Sequence, residues 1–158
     1  MILQNSLDAL SRSGVILFPS DTVLGLSCDA TNQAAVDTIF SIKNRPQSKS
    51  LIALVADMEM LATHVESIPE AVHEILKDVS SPTTIVYPKV KGIAPMAMAE
   101  DGSMAFRIPK SGFALDLVKS FGKPIIATSA NLSGAPIPEN ISQIDCRILE
   151  QVDYVVPL

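Results

Sequence analysis

Short apolar runs alternate with amphipathic stretches along this chain. Runs of apolar or β-branched residues that stop near Pro or Gly are typical of buried strands. Such runs predict six strands, at residues 15–18, 51–55, 83–87, 104–109, 124–128 and 154–156.

Apolar positions spaced three and four residues apart predict helices between these strands. They lie at residues 2–12, 33–42, 58–78 (as two helices broken near Pro69), 113–121 and 141–150. The intervening residues 20–32, 88–102 and 129–140 are rich in polar residues, Gly or Pro, so we expect loops there. Alternating helices and strands with short connections predict the α/β class, with helices packed on a twisted sheet.

The composition is that of one compact domain. The chain has 158 residues and is 47% hydrophobic but only 4% aromatic, so its core must be mostly aliphatic. The formal net charge of −5 argues against a protein that binds nucleic acid through a broad basic surface. A net negative charge is still compatible with a local cluster of cations. In an acidic chain such a cluster indicates a candidate site for an anionic ligand.

The cysteines, the first residues and the lengths of the apolar runs indicate in which cellular compartment the protein is expected. Cys28 and Cys146 lie far apart without a CxxC motif, so we expect two free, buried thiols in a reducing environment. The first residues lack a signal-peptide pattern, and no apolar run reaches the roughly 18 residues that a membrane span needs. The sequence therefore predicts a cytoplasmic protein without a membrane segment.

The polar residues that could carry chemistry follow the predicted strands, where α/β folds usually bind ligands. The first group is the loop after residue 19, in which Ser20 and Thr22 could present hydroxyl and N–H donors to an anion. An ordinary turn is the alternative interpretation. Asp21 could hold Mg²⁺ on a bound nucleotide, because Mg²⁺ often uses one or two carboxylates together with phosphates.

The second group is cationic. Lys43, Arg45 and Lys49 fall within seven residues, and Pro46 forces the chain out of the preceding helix. The cations therefore lie at a helix-to-loop boundary, where they could converge on a phosphate or carboxylate. The alternative is that they only complement the negative end of the helix dipole.

Two further groups complete the candidates. Arg107 lies in an apolar strand, where an unpaired guanidinium is costly to bury, so it should meet a carboxylate or a ligand. Ser129 and Asn131 directly follow a buried strand, and the small residues around them allow a ligand to approach the backbone closely. An ordinary Asx or Ser turn is again the alternative.

Taken in order, these stretches resemble the YrdC/TsaC family of threonylcarbamoyl-AMP synthases. The resemblance runs from about residue 14 to 134 and rests on FPSDTVLGLSCDA, IFSIKNRPQSKSLIALV, SPTTIVYP, MAFRIP and KPIIATSANLSG. It implies a single-domain, YrdC/RibB-like twisted mixed sheet around a concave, positively charged cavity. It also implies that ATP and L-threonine bind there, that bicarbonate supplies the carbamoyl carbon, and that the product passes to proteins that modify the adenosine beside the anticodon of tRNA.

The family pairs a Lys-x-Arg motif with a Ser-x-Asn motif, and both are intact here. The resemblance implies catalytic roles for Lys43, Arg45, Ser129 and Asn131. It implies substrate-binding roles for Thr22, Arg45, Lys49, Ser103, Arg107, Ser111 and Ser129. The cations would hold the triphosphate, Ser129 and Asn131 the phosphates or ribose, and Thr22 and Arg107 the threonine. ATP is expected as a substrate with Mg²⁺ accompanying it, whereas His64 and His73 lie outside the motifs and are interpreted as surface or structural residues.

Two departures from the family pattern qualify these expectations. Leu24 stands where an aromatic residue is common, and the chain stops at Leu158, before the family's Gly-rich turn and Pro-Ser-Thr strand. We therefore expect one YrdC-like domain over residues 1–158 that lacks this strand. Three alternatives stay open: a module that binds double-stranded RNA or tRNA without turnover, a paralogue with other chemistry, and one domain of a longer polypeptide. The two intact motifs favour the synthase.

Overall fold

The structure is a computed structural model that describes residues 1–157 as six helices and seven strands. The helices are α1 (Ile2–Ser11), α2 (Gln33–Lys43), α3 (Met58–His64), α4 (Glu70–Asp78), α5 (Phe113–Phe121) and α6 (Cys146–Leu149). The strands are β1 (Ile16–Pro19), β2 (Leu24–Ser27), β3 (Ile52–Leu54), β4 (Thr84–Tyr87), β5 (Met104–Arg107), β6 (Ile125–Ser129) and β7 (Tyr154–Val155). Over these residues no helix combines the length and the apolar character needed to cross a membrane.

The described strands form one mixed sheet in the order β4-β5-β3-β6-β2-β1-β7. β1 is parallel to β7 and β3 to β5, whereas the other neighbouring pairs are antiparallel. Pro19 lies opposite Leu24 in the pair of β1 and β2, and Gly25 lies opposite Ser129 in the pair of β2 and β6. The end of β1, the start of β2 and the end of β6 therefore meet at one end of the sheet.

Helices cover the two faces of the sheet unequally. On one face, α2 packs Val36, Ile39 and Phe40 into a large core that also contains Leu26 and Phe106. On the other face, α1 and α5 build a smaller core. This smaller core includes Leu10, Ile16, Phe18, Leu117 and Ile125.

The part of the second face that β4 and β5 form is left open. Along β5, Met104 and Phe106 are buried while Ala105 and Arg107 are only half-buried, as expected for side chains that alternate between faces. On the neighbouring β4, Thr84 pairs with Arg107, and Val86 is 65% exposed. The open face therefore presents Arg107 and Thr84 side by side.

The hydrophobic pattern predicted most elements correctly. The helices predicted at 33–42 and 113–121 are confirmed within one residue as α2 and α5. The break near Pro69 is confirmed too, because α3 ends before it and α4 begins just after it. The strand predicted over 104–109 ends earlier, at Arg107.

The prediction of a loop throughout residues 20–32 was wrong, because β2 lies within it and the sheet has seven strands rather than six. Gly25 weakens the apolar signal of this short strand, yet the position needs a glycine. A side-chain carbon there would lie only 3.0 Å from the Thr128 carbonyl oxygen and 3.2 Å from the Phe18 ring. Packing against the neighbouring strand, rather than hydrophobic periodicity, makes this segment a strand.

The helix predicted over 141–150 was also wrong in extent. A 3₁₀ turn at Ile141–Gln143 is followed by the four-residue α6. The Asp145 carboxylate accepts a hydrogen bond from the backbone N–H of Arg147 at 2.9 Å, so it caps a new helix and interrupts the first turn. Cys146 in α6 is exposed, contrary to the expected burial, whereas Cys28 is buried as expected and its burial raises the pKa of its thiol.

Candidate functional site

The loop between β1 and β2 is ordered by one hydroxyl. Ser20 Oγ accepts hydrogen bonds from the backbone N–H groups of Thr22 (3.1 Å) and Val23 (3.0 Å) and donates to the Val23 carbonyl at 2.6 Å. Thr22 is exposed, with its own hydroxyl 3.1 Å from Ser20 Oγ. The turn therefore holds the predicted substrate-binding residue Thr22 at the surface, at the end of the sheet where β6 also ends.

Arg107 reaches from the open face to this same loop. Its Nη2 lies 2.9 Å from Asp21 Oδ1, and the two side chains are 10% and 8% exposed. Its Nη1 donates to Thr84 Oγ1 at 3.3 Å, while its buried Nε has no hydrogen-bond partner within residues 1–157. Of the two partners expected for Arg107, a carboxylate or a ligand, the structure shows a carboxylate, that of Asp21. The role of Arg107 in binding a ligand stays a prediction, and its guanidinium keeps unused donor capacity.

Lys43, the last residue of α2, points into the protein rather than into solvent and is 2% exposed. Its ammonium group donates to the carbonyl oxygens of Ser129 and Asn131, the latter at 2.8 Å, and lies 3.4 Å from Asn131 Oδ1. Burial, with a smaller contribution from the nearby Arg45 charge, lowers the pKa of Lys43 to about 8. The two predicted motifs, Lys-x-Arg and Ser-x-Asn, are therefore in direct contact.

The loop after β6 is held by a chain of hydrogen bonds. Ser129 Oγ donates to Asn131 Oδ1 at 2.5 Å, and Asn131 Nδ2 donates to the Ala135 carbonyl at 2.7 Å. The backbone N–H groups of Asn131 and Leu132 have no partner in the described part of the chain. Adjacent free N–H groups in a tight turn are suited to bind an anion.

Arg45 and Lys49 lie in the loop that follows α2. The half-buried Arg45 donates through Nε to the Lys49 carbonyl (3.1 Å) and through Nη2 to the Ser50 carbonyl (2.8 Å). Burial lowers the pKa of Arg45, and its charge has no carboxylate partner within residues 1–157. Lys49 is exposed. Both charges are thus available to an anionic ligand.

Ser103 and Ser111 are less closely tied to this group. Ser103 donates its hydroxyl to Asp101 Oδ1 at 2.6 Å, a bond that lowers the pKa of the Asp101 carboxyl. Ser111 is exposed and makes no side-chain hydrogen bond to any described residue. The two serines flank β5 and make no hydrogen bond to the motif residues. His64 also lies apart from the motifs, with its Nδ1 at 3.0 Å from the Lys91 carbonyl oxygen.

The cavities near the candidate residues are separate from one another. Asn131 lines one of about 640 Å³ together with Ile137, Glu139 and Asp145. Arg45 lines another of about 480 Å³ with Asp37 and Asn44, and the two cavities share no lining residue. The single positively charged cavity that the resemblance implies therefore remains a prediction.

Sequence reasoning missed Thr84, which shares the open face with Arg107. In the structure Thr84 and Val86 are exposed and Tyr87 is buried, but the β-branched sequence of β4 does not reveal which face each side chain takes. The missing information was the pairing of β4 with β5, which sets Thr84 opposite Arg107. Among residues 1–157, no three His, Cys, Asp or Glu side chains gather as a metal site, and Asp21, the predicted Mg²⁺ ligand, is paired with Arg107.

Fold and site together define a class: a single α/β domain on a mixed sheet, in which a Lys-x-Arg motif at a helix end contacts a Ser-x-Asn motif at a strand end. The sequence model of the Sua5/YciO/YrdC family, described as Telomere recombination, matches residues 8–157. The chain belongs to the Sua5/YciO/YrdC family.

Relatives of known name are similar over almost the whole chain. The threonylcarbamoyl-AMP synthase of Pseudoalteromonas translucida (strain TAC 125) is 32% identical over 154 residues, covering 96% of this chain and 82% of the relative. That of Stenotrophomonas maltophilia (strain K279a) is 29% identical over 159 residues, covering 99% and 86%.

A solved structure supports the same relationship. P. abyssi Sua5 complexed with L-threonine superposes with a TM-score of 0.90 at 28% identity, over 97% of this chain. The present chain spans 45% of that Sua5 chain. The predicted fold class and family are thus confirmed.

Proposed function

We propose that this protein is an L-threonylcarbamoyladenylate synthase, a nucleotidyltransferase that condenses L-threonine, bicarbonate and ATP to threonylcarbamoyl-AMP and pyrophosphate. Two relatives named threonylcarbamoyl-AMP synthase, at 29% and 32% identity over nearly the whole chain, support this proposal. The L-threonine complex of P. abyssi Sua5 supports threonine as the amino-acid substrate.

One structural observation carries the proposal. The two motifs lie 84 or more residues apart in the chain, yet the Lys43 ammonium group bonds the carbonyls of Ser129 and Asn131. Arg45 and Lys49 follow immediately, without carboxylate partners within the described residues. An acidic protein thus places two cations without carboxylate partners just after the end of α2, which Lys43 joins to a loop with free N–H groups. Such an arrangement is suited to a polyphosphate.

The nucleotide would bind between these elements. Arg45 and Lys49 contact the triphosphate, because Arg offers a planar fork and Lys a compact charge for phosphate oxygens. Ser129, Asn131 and the free N–H groups of their loop bond phosphates or ribose. Mg²⁺ accompanies ATP as part of the substrate, and it neutralises phosphate charge.

The threonine would bind at the other side of the sheet end. Arg107 receives its carboxylate through the Nη1 and Nη2 hydrogens that are not bonded to Thr84 and Asp21, and Thr22 bonds its polar groups. Ser103 and Ser111, which flank β5, are weaker candidates for the same substrate. This division puts the amine of threonine between the two motifs and the open face.

The chemistry follows from these positions. The threonine amine adds to the bicarbonate carbon and water leaves, which gives a carbamate. A carbamate oxygen then attacks the α-phosphorus of ATP, and the bond from that phosphorus to the bridging oxygen breaks as pyrophosphate departs. Such a transfer needs positioning and charge stabilisation more than covalent help, which suits a site of cations, hydroxyls and amides.

The product is a mixed carbamic–phosphoric anhydride, so it is an activated donor of the threonylcarbamoyl group. It requires an acceptor, which we propose to be the adenosine beside the anticodon of tRNA, reached through separate threonylcarbamoyl transferase proteins. A chain with a net charge of −5 is poorly suited to hold tRNA by a broad surface of its own.

The direct test is identification of the product. The protein is incubated with ATP, Mg²⁺, L-threonine and ¹³C-bicarbonate, and the mixture is analysed by rapid mass spectrometry. Threonylcarbamoyl-AMP carrying one ¹³C atom is expected. Retained ATP binding without this product would instead identify a paralogue with other chemistry, and salt-dependent RNA binding without turnover would identify a binding module.

A further inference from the structure

The contacts of Lys43 separate it from the other cations of the site. An ammonium group has three N–H donors, and here three oxygen atoms surround it: the carbonyls of Ser129 and Asn131 and the Asn131 side-chain oxygen. With the residue 2% exposed, no donor is left for a phosphate oxygen unless one of these bonds breaks. Lys43 is therefore already fully engaged by protein atoms.

The backbone of Lys43 holds the same loop. The Lys43 carbonyl oxygen lies in the last turn of α2 and has no partner within the helix. It accepts a hydrogen bond from the backbone N–H of Ser133 at 2.8 Å. The side chain thus binds the loop at residues 129 and 131, and the main chain binds it at residue 133. One residue fastens both ends of the segment 129–133 to the end of α2.

We propose that Lys43 is a positioning residue, which clamps the segment 129–133 to α2 and so presents Ser129, Asn131 and the free N–H groups to the nucleotide. The clamp itself is inferred from the contacts of Lys43 alone. That the clamped segment binds a nucleotide rests on the proposed function. Arg45 and Lys49 are then the cations that contact phosphate directly.

The clamp consists of a charged donor and neutral acceptors. The segment 129–133 contains only uncharged residues, and the Leu24 carbonyl of β2 accepts a hydrogen bond from the Ala130 N–H at 2.9 Å. Asp37 and Arg45 lie at the cavity beside α2, and Glu139 and Asp145 at the cavity beyond Asn131. Of these groups, Arg45 is the one whose charge acts on Lys43.

This arrangement makes the clamp sensitive to pH. Because its pKa is lowered to about 8, Lys43 loses its proton at moderately alkaline pH. A neutral amine has two donors for three acceptors, and its lone pair then faces an oxygen atom. The segment 129–133 should therefore be tightly held below about pH 8 and loosen above it.

The first test is a titration of the wild-type protein by NMR. Lysine is labelled at ¹³Cε, and the Lys43 signal is assigned by its absence from Lys43→Arg. Its midpoint should lie near pH 8, with the Asn131 and Ser133 amide signals shifting over the same range. Loop signals that do not follow the Lys43 titration would overturn the proposal. A Lys43 midpoint near the ordinary lysine value of 10.5 would overturn the predicted loosening near pH 8.

The second test is hydrogen–deuterium exchange without any ligand at pH 7. In Lys43→Met, which keeps the length of the side chain but not the donors, the Ser133 and Ala135 amides should exchange about tenfold faster or more. In the matched control Lys49→Met these amides should be unchanged. Unaltered exchange in Lys43→Met, with weakened ATP binding, would show that Lys43 contacts phosphate instead.

The two tests remain informative if a variant fails to fold or if the protein binds no ATP. If Lys43→Met does not fold, the wild-type titration still decides the matter, because it needs only the Lys43→Arg spectrum for assignment. If the protein binds no ATP, the proposed function fails, but the titration and the exchange rates still establish or overturn the clamp. Rescue of loop protection by Lys43→Arg above pH 8 would further support a charged donor.

Discussion

At the scale of single residues, three cations of the candidate site bond three kinds of partner. Lys43 bonds neutral oxygens of a distant loop, Arg45 bonds carbonyls of the loop that follows it, and Arg107 bonds the carboxylate of Asp21. Within residues 1–157, only Arg107 of these three has a full counter-charge. Arg45 should therefore contribute most to the affinity for an anionic ligand, and Arg107 should contribute most to the free energy of unfolding.

Replacing Arg45 by Ala should weaken ATP binding. A charge-assisted hydrogen bond contributes about 1.5–3 kcal/mol, so the dissociation constant should rise roughly ten- to hundredfold. Isothermal titration calorimetry with a non-hydrolysable ATP analogue measures it. The matched control is Arg12→Ala, because Arg12 is an exposed arginine on the end of α1. Equal affinities of wild type and Arg45→Ala would remove Arg45 from the nucleotide site.

Replacing Arg107 by Ala should destabilise the fold by about 3–5 kcal/mol, because it leaves the Asp21 carboxylate buried without its partner. The double variant Asp21→Ala/Arg107→Ala should recover part of this loss. Urea unfolding measures both, with Lys89→Ala as control, since the Lys89–Glu66 pair is exposed and should contribute within about 0.5 kcal/mol. A loss below about 1 kcal/mol in Arg107→Ala would show that water screens the pair.

Ser27 presents the opposite case, a buried hydroxyl without a partner in the described residues. Because an unsatisfied buried polar group costs about 1–3 kcal/mol, Ser27→Ala should raise the free energy of unfolding by about 1 kcal/mol. The control is Ser6→Ala, whose buried hydroxyl donates to the Ile2 carbonyl at 3.0 Å and should change stability by about 0.5 kcal/mol or less. A marked loss of stability in Ser27→Ala would reveal a partner for its hydroxyl.

At the scale of elements, the end of α2 sets the geometry of the site. Asn44 follows Lys43 with φ 49° and ψ 45°, a left-handed conformation that ends the helix and turns Arg45 away from Lys43. This turn explains why the side chains of one Lys-x-Arg motif reach different loops.

Asn44→Gly should therefore keep or slightly raise stability, whereas Asn44→Val should lower it by about 1–2 kcal/mol, because a β-branched residue resists the left-handed region. Thermal unfolding of the two variants, measured together, checks the prediction. Equal melting temperatures would mean that the helix end relaxes to another conformation.

Helices and strands were predictable from sequence where a single local signal, such as apolar spacing or a proline, fixes their type and bounds. The apolar spacing of α2 and α5 is strong, and Pro69 separates α3 from α4 unambiguously. β2 was missed because Gly25 and Ser27 interrupt its apolar pattern, and only the neighbouring strand shows why they are there. The short α6 was misjudged because the side-chain cap at Asp145 outweighs helical periodicity.

At the scale of the whole molecule, the sequence nominates candidate site residues but does not predict which of them contact one another. Lys43, Arg45, Ser129 and Asn131 are conspicuous because cations and hydroxyls stand beside predicted element ends. That Lys43 would bond the Ser129 loop, and Arg107 would bond Asp21, depends on the strand order β5-β3-β6-β2-β1, which hydrophobic periodicity does not encode. Long-range pairings of this kind need the fold.

In the proposed reaction, ATP activates a threonine carbamate. The most direct measurement is pyrophosphate release from ATP, with each of L-threonine and bicarbonate omitted in turn, and with L-serine in place of L-threonine. We expect release that requires ATP, L-threonine and bicarbonate together and that falls sharply in Arg45→Ala. Release that continues without L-threonine, or no release by a folded protein that binds ATP, would contradict the proposed reaction.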